Sequence, residues 1–297
     1  MRLATHGAGR VGVIAGGELV DTTDDLKAVL PPVAGISLMR QIITCWAQAQ
    51  PALAAPSGRH IPLADVSWDP PVPDPSKVIA APVNYRDHQK EMSQESHVDG
   101  LGVFLKAPSS VLGHRGMVHL PYSDRRFDHE AEFALVLGRR ARNVTENDAL
   151  DYVFGYTGLL DLTMRGGEDR STRKSFDTFT PMGPWLVTAD EFGSPANVDF
   201  SLTVNNTVRQ RASTRDLIWT VPKLIAYASS VMTLLPGDVI TTGTPAGVGP
   251  ITDGDHVALM IDGLARLEVD VTSSGAVLSP TRGANRGPVP PPARPAP

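Results

Sequence analysis

The sequence predicts an α+β chain that is mostly β. Three observations carry this. Short apolar runs bounded by Gly, Pro and Asn recur along most of the length. A helix-spaced apolar face with both start and stop signals appears once, after Trp219. A proline-dense segment, "WDPPVPDPSKV", divides the chain into a short first part and a long second part.

The elements follow in order. "RLATH", "RVGVIAGG" and "ELVDTT" read as short strands joined by Gly-rich turns. A helical stretch runs from about Leu38 to Ala49 and holds the single cysteine, Cys45, read as a buried small hydrophobe. Pro70, Pro71, Pro73 and Pro75 forbid helix and favour an extended linker. The predicted division is therefore a small N-terminal domain over 1–73, a main domain over 74–278 and a disordered Pro-rich tail over 279–297. Within the main domain, "KVIAAPVNY", "GVFLKAPSSVLG", "EAEFALVLG", "FGYTGLLDLTM", "GPWLVT", "FSLTVNN", "DVITTG" and "HVALMIDG" read as strands or apolar runs ending in loops. The helix begins at Thr220, a capping residue, with Pro222 in its first turn. Its apolar face is Leu224, Ile225, Ala228, Val231, Met232 and Leu235, and Pro236-Gly237 stops it.

Composition excludes several function classes. The chain has 297 residues, 41% of them hydrophobic, which suits a globular protein with a sizeable core. A net charge of −5 argues against a nucleic-acid binder. One cysteine permits no intrachain disulfide and no thiolate metal cluster. No stretch approaches the roughly 18 apolar residues of a membrane span, and the N-terminus lacks a signal-peptide pattern, so the expected location is the cytoplasm.

Charges inside apolar strands are the informative feature. In "FDHEAEFALVLG", Glu130 and Glu132 alternate onto one face with Ala134 and Val136. Either the strand enters from solvent and both carboxylates stay hydrated, or a cation lies between them. Asp161 stands alone in the apolar run Leu159–Met164. It either pairs with Arg165, ends the strand in a turn, or supplies a third ligand. Three carboxylates with no thiolate suit a hard cation, Mg²⁺ or Mn²⁺, that keeps open positions for a chelating substrate.

Two further segments are candidates. In "NYRDHQKEM", His88 and Glu91 are three apart and touch if the segment is helical. They then either face solvent or form a carboxylate–imidazole dyad suited to general-base work. "TTGTPAGVG", Thr241 to Gly249, is either a plain turn or a loop offering N–H groups and the Thr244 hydroxyl to a small molecule. It is not a phosphate-binding P-loop, since the lysine of that motif is absent.

"VIAAPVNYRDHQKE", "VFLKAPSSVLG", "FDHEAEFALVLGRRARNV", "FGYTGLLDLTMR", "KSFDTFTPMGPWLVT" and "PGDVITTGTPAGVG" stand in the order typical of the fumarylacetoacetate hydrolase family. The resemblance runs from about Lys77 to Val271. It implies a mixed β-roll core with a small N-terminal accessory domain, a divalent cation and a homodimer. By motif it makes Glu130, Glu132 and Asp161 the metal ligands. His88, Glu91 and Lys174 become the catalytic residues and Thr244 lines the substrate, with Lys106 and Arg165 as further candidate substrate-binding residues. Two positions depart from the family pattern: Leu160 stands where an asparagine is usual, and Gly166 where an aspartate is common.

The implied substrate is a small 2-oxo acid. The resemblance implies metal-dependent hydrolysis of a C–C bond in a 2,4-dioxo acid of the acylpyruvate or fumarylpyruvate type, through an enolate. The alternatives are decarboxylation of an oxaloacetate-type acid, or isomerisation or hydration of an unsaturated 2-oxo diacid in aromatic catabolism. From another class, the alternative is a non-catalytic metal-dependent binding protein. Arg125, Arg126, Arg165 and Arg173 are the candidate anchors for a distal carboxylate.

Overall fold

A computed structural model describes residues 1–283. Its centre is a long mixed sheet. From one edge the strands run His60–Pro62, Glu18–Asp21, Arg10–Ala15, Arg2–His6, Thr180–Thr188, Val153–Leu160, Ala131–Leu137, Val239–Thr241, Val78–Ala80 and Phe104–Lys106. Most neighbours are antiparallel, but Val239–Thr241 pairs in parallel with Val78–Ala80. A five-stranded sheet, Thr207–Ser213, Asp199–Val204, His256–Ile261, Leu267–Thr272 and Met117–His119, packs against it. A short three-stranded sheet, Thr163–Met164, Phe127–His129 and Gly249–Ile251, lies beside the junction. No helix among the described residues is long and apolar enough to cross a membrane.

Strand Ala131–Leu137 is buried on both faces because its alternate residues serve two cores. Phe133, Leu135 and Leu137 join the cluster shared with the five-stranded sheet. Ala134 and Val136 join the cluster formed with the N-terminal strands and helices.

The N-terminal strands continue the central sheet, with Arg2 opposite Val187 and Leu3 opposite Leu186. The proline-rich crossing at 68–75 is tied down where Asp69 N–H donates to Thr5 O and the Thr5 hydroxyl donates to Pro71 O. The expected helix near Leu38–Ala49 is two helices, Leu38–Thr44 and Trp46–Ala54, broken at Cys45, which is half-buried at the joint rather than buried.

The helix after Trp219 spans Val221–Val231, with the Thr220 hydroxyl accepting from Lys223 N–H. It stops earlier than its apolar spacing suggests. Met232 is extended, Val231 is exposed, and Leu234 instead pairs its backbone with Ala141 and is buried. Of the expected tail, residues 279–283 are placed: Ser279 N–H donates to Asp124, and Gly283 O accepts from Gly167 N–H. Residues 284–297 lie outside the described residues.

Candidate active site

Sheet register brings the three acidic residues together. Glu130 stands at the step between strands Phe127–His129 and Ala131–Leu137. Asp161 follows the last residue of Val153–Leu160, where Ala131 pairs with Leu160, and its N–H donates to Glu130 O at 2.9 Å. One oxygen from each of Glu130, Glu132 and Asp161 lies within 4.8 Å of the others, and all three residues are buried. The reading in which the two glutamates stay hydrated is therefore corrected: the strand enters from the three-stranded sheet, not from solvent.

The cations are distributed unevenly. Glu130 accepts from Arg165 Nη2 at 2.9 Å and Lys174 Nζ at 2.7 Å. Asp161 is held by Lys174 Nζ at 2.6 Å and by Lys106. The expected Asp161–Arg165 pair is absent, because Arg165 turns its Nε to Asp128 at 2.7 Å and its Nη2 to Glu130. Among the described residues Glu132 receives neutral donors only: the Thr241 hydroxyl and Gly243 N–H at 2.8 Å, both on Oε2.

This asymmetry sets the charge states. Burial, followed by the negative charge of Asp161, pushes the Glu132 carboxyl up to about 8. Burial acts on Glu130 in the same direction, but Lys174 and then Arg165 overcome it and hold Glu130 well below the usual carboxylate range. Lys174, although buried, is raised by Asp161 and Glu130. A cluster of carboxylate oxygens with one member lacking a cationic partner fits a hard divalent ion, whose charge would favour ionised Glu132.

Lys174 ends the short helix Arg170–Lys174, capped where Asp169 accepts from Ser171 N–H. Its ammonium also donates to the Thr163 hydroxyl at 2.6 Å. Unlike His88, Lys174 and Thr244, Lys106 does not line the cavity. Its side chain is fully buried and its donors go to Asp161 and Phe179 O, so it holds Asp161 from behind.

Residues Arg86–Glu91 form the helix the spacing required. His88 Nδ1 lies 3.1 Å from Glu91 Oε2, and Glu91 Oε1 accepts from Gly247 N–H at 2.9 Å. Nε2 is therefore the ring nitrogen left for the cavity, which His88 lines together with Glu130, Glu132, Asp161, Lys174 and Thr244. His88 is buried, contrary to a solvent-facing pair. Gly247 has φ +95°, and a Cβ there would stand 2.1 Å from Arg209 O, so only glycine permits this contact.

Two buried amides were missed in the sequence. Gln210 donates to the Thr244 hydroxyl at 2.8 Å and to Pro245 O, while its Oε1 accepts from Ala131 N–H. The Thr244 hydroxyl accepts that bond and keeps its own hydrogen to donate. Asn84 donates to Trp219 O and Thr242 O and accepts from Trp219 N–H, fixing the start of the His88 helix to the same loop. Each is a single polar residue beside charged or aromatic neighbours, with no spacing to mark it.

The two departures from the family pattern have structural accounts. Leu160 is fully buried in the main apolar cluster. Gly166 lies under the Arg125–Glu168 ion pair: a Cβ there would stand 2.1 Å from Arg125 Nη2 and 2.3 Å from Glu168 Oε2.

Residues 77–272 match the family described as fumarylacetoacetate (FAA) hydrolase C-terminal. Maleylpyruvate hydrolase of Aquipseudomonas alcaligenes is 42% identical over 289 residues, 92% of this chain and 100% of that protein. The crystal structure of maleylpyruvate hydrolase from Sphingobium sp. SYK-6, in complex with manganese(II) ion and pyruvate, has a TM-score of 0.82. It is 43% identical, covering 92% of this chain and 99% of that chain. A 5-carboxymethyl-2-hydroxymuconate delta-isomerase structure from Mycobacterium smegmatis has a TM-score of 0.72 and 32% identity, covering 92% of this chain and 100% of that one. With two thirds of its length matched and relatives aligned nearly end to end, the chain belongs to the fumarylacetoacetate hydrolase family.

Proposed function

We propose that this protein is a divalent-cation-dependent hydrolase that cleaves the C3–C4 bond of an acylpyruvate of the maleylpyruvate type, releasing pyruvate and a carboxylic acid. The observation that carries the reading is the His88–Glu91 dyad set on one cavity with the three carboxylates. The relatives named maleylpyruvate hydrolase support it, one of them crystallised with manganese(II) and pyruvate.

Glu130, Glu132 and Asp161 would hold the cation. When bound, it supplies Lewis-acid polarisation of a chelating 1-carboxylate and 2-oxo group. His88, oriented through Nδ1 by Glu91, takes a proton from water at Nε2 as that water adds to the C4 carbonyl. The C3–C4 bond then breaks. Its electron pair passes into the enolate of pyruvate, and a proton returned to C3 completes the balance. The Lys174 ammonium faces this developing negative charge. The Thr244 hydroxyl donates a hydrogen bond to the bound acid, and Arg165 holds Glu130 in place.

The reading includes Mg²⁺ as an alternative to Mn²⁺, a homodimer and a cytoplasmic location. Ion and assembly rest on the family resemblance. The isomerase relative keeps a second chemistry in view, isomerisation of an unsaturated 2-oxo diacid.

A substrate panel tests the proposal: maleylpyruvate, fumarylpyruvate, simple acylpyruvates, oxaloacetate and unsaturated oxo-diacids, each with Mn²⁺ and with Mg²⁺. Pyruvate release from acylpyruvates, abolished by a chelator, is expected. Turnover confined to oxaloacetate, or isomer formation without pyruvate, contradicts it.

A further inference from the structure

Arg173 immediately precedes Lys174 and lines the same cavity. It is 7% exposed, and no carboxylate forms an ion pair with it among the described residues. Nε donates to Glu168 O at 2.9 Å, while Nη1 is buried with no hydrogen-bond partner among the described residues. The nearby carboxylates are already taken. Glu168 is gripped by Arg125 at 2.9 and 2.7 Å, and Glu130 by Lys174 and Arg165. The Asp169 side chain caps its own helix.

The other arginines that could hold a distal carboxylate are engaged. Arg125 pairs with Glu168, Arg126 with Asp128, and Arg165 with Asp128 and Glu130. Burial, then the neighbouring Arg165 guanidinium, press against the Arg173 charge. A guanidinium nevertheless stays protonated, so it cannot escape by neutralising. A buried cation kept without an anion is costly unless a ligand supplies one. Arg170, one turn earlier and half-buried, lines the cavity as well and has no carboxylate partner among the described residues.

We propose that Arg173 is the specificity-determining residue that receives the distal carboxylate of a dicarboxylic 2-oxo acid, with Arg170 adding positive charge at the same end. This rests on the reading of the site given above. The proximal carboxylate and 2-oxo group belong to the end held by the acidic cluster and Lys174. A substrate whose acyl part ends in a second carboxylate brings the missing anion, and a planar guanidinium can meet it with two parallel hydrogen bonds. The protein would accordingly prefer acids ending in a carboxylate over those of equal length ending in a methyl group.

The test uses two non-cleavable probes that differ only at the far end, 2-oxoheptanedioate and 2-oxoheptanoate. Binding to the wild type, Arg173→Met and Arg173→Lys is measured by titration calorimetry with Mn²⁺ present, and melting curves confirm that each variant is folded. The wild type should favour the diacid by roughly 10- to 100-fold, the scale of one charge-assisted pair. Arg173→Met should lose that preference while holding the monoacid within about 3-fold, and Arg173→Lys should retain part of it. A preference that survives in Arg173→Met overturns the assignment and leaves the oxo-acid site standing. So does equal weakening of both probes, which would place Arg173 at the proximal end. A wild-type protein that binds neither acid overturns the site reading and this assignment together.

Discussion

Glu91 bonds His88 with one carboxylate oxygen and the Gly247 amide with the other, so the dyad is fastened to the loop that carries Thr244. The imidazole is thereby oriented by a group that is itself fixed, as a general base requires.

The dyad separates two chemistries. Loss of general-base catalysis typically costs about 10² to 10⁴-fold, so His88→Ala should lose roughly that factor in acylpyruvate hydrolysis. Metal-assisted decarboxylation of oxaloacetate, which needs no attacking water, should survive far better. Steady-state rates for both substrates decide it. Equal losses would assign His88 a shared proton transfer instead.

The metal site gives a second outcome. Glu132 is the ligand candidate without a cationic partner, so Glu132→Ala should fold while Mn²⁺ and Mg²⁺ affinity falls by at least about tenfold. Titration calorimetry of both ions checks this, and wild-type affinity in the variant would remove Glu132 from the ligand set.

Gly166 and residues 279–283 form one unit around Arg125. Its guanidinium is held by Glu168, Ser279 and Thr281, and Gly283 O accepts from Gly167 N–H. A chain ending at Gly283 should melt within about 1 °C of the full chain. One ending at Leu278 should melt lower by a few degrees, since losing hydrogen bonds to a buried charged group costs on the order of 1–3 kcal/mol. Equal melting of both would show that these bonds contribute nothing.

His114 gives a pH dependence. It packs edge-on against Trp68 at 5.6 Å, and Nδ1 accepts from Glu268 N–H, so the ring is neutral. Burial lowers its pKa to about 4, from the ordinary 6.5. A depressed histidine contributes stability that is present above 6.5 and is lost as pH falls through the folded value. Denaturant midpoints should therefore fall between pH 6.5 and 4, and His114→Asn should flatten that limb. An unchanged slope in the variant would clear His114 of the effect.

Most of the site was legible because charges inside apolar strands are costly and therefore informative. Glu130, Glu132 and Asp161 announced themselves by breaking runs such as "FALVL" and "LLDLTM". The strands around them were legible from the same runs. What escaped depends on tertiary pairing. Thr207–Ser213 is a strand of mixed polarity whose two buried residues, Gln210 and Ser213, are both polar, and only the turn Asn205-Asn206, both at positive φ, marked its hairpin. Helix Val221–Val231 ends early because Leu234 pairs with Ala141, a contact 93 residues away in sequence (234 minus 141). Whether Arg173 or Arg165 is free for a ligand depended on which carboxylates the fold had already assigned.

Hydrolytic cleavage is tested most directly by turning over maleylpyruvate with Mn²⁺ in oxygen-18-labelled water and weighing the products. Pyruvate is expected together with maleate carrying one labelled oxygen, and both at a rate cut by about 10² to 10⁴-fold in His88→Ala. An unlabelled isomer of the starting acid, with no pyruvate released, would contradict it.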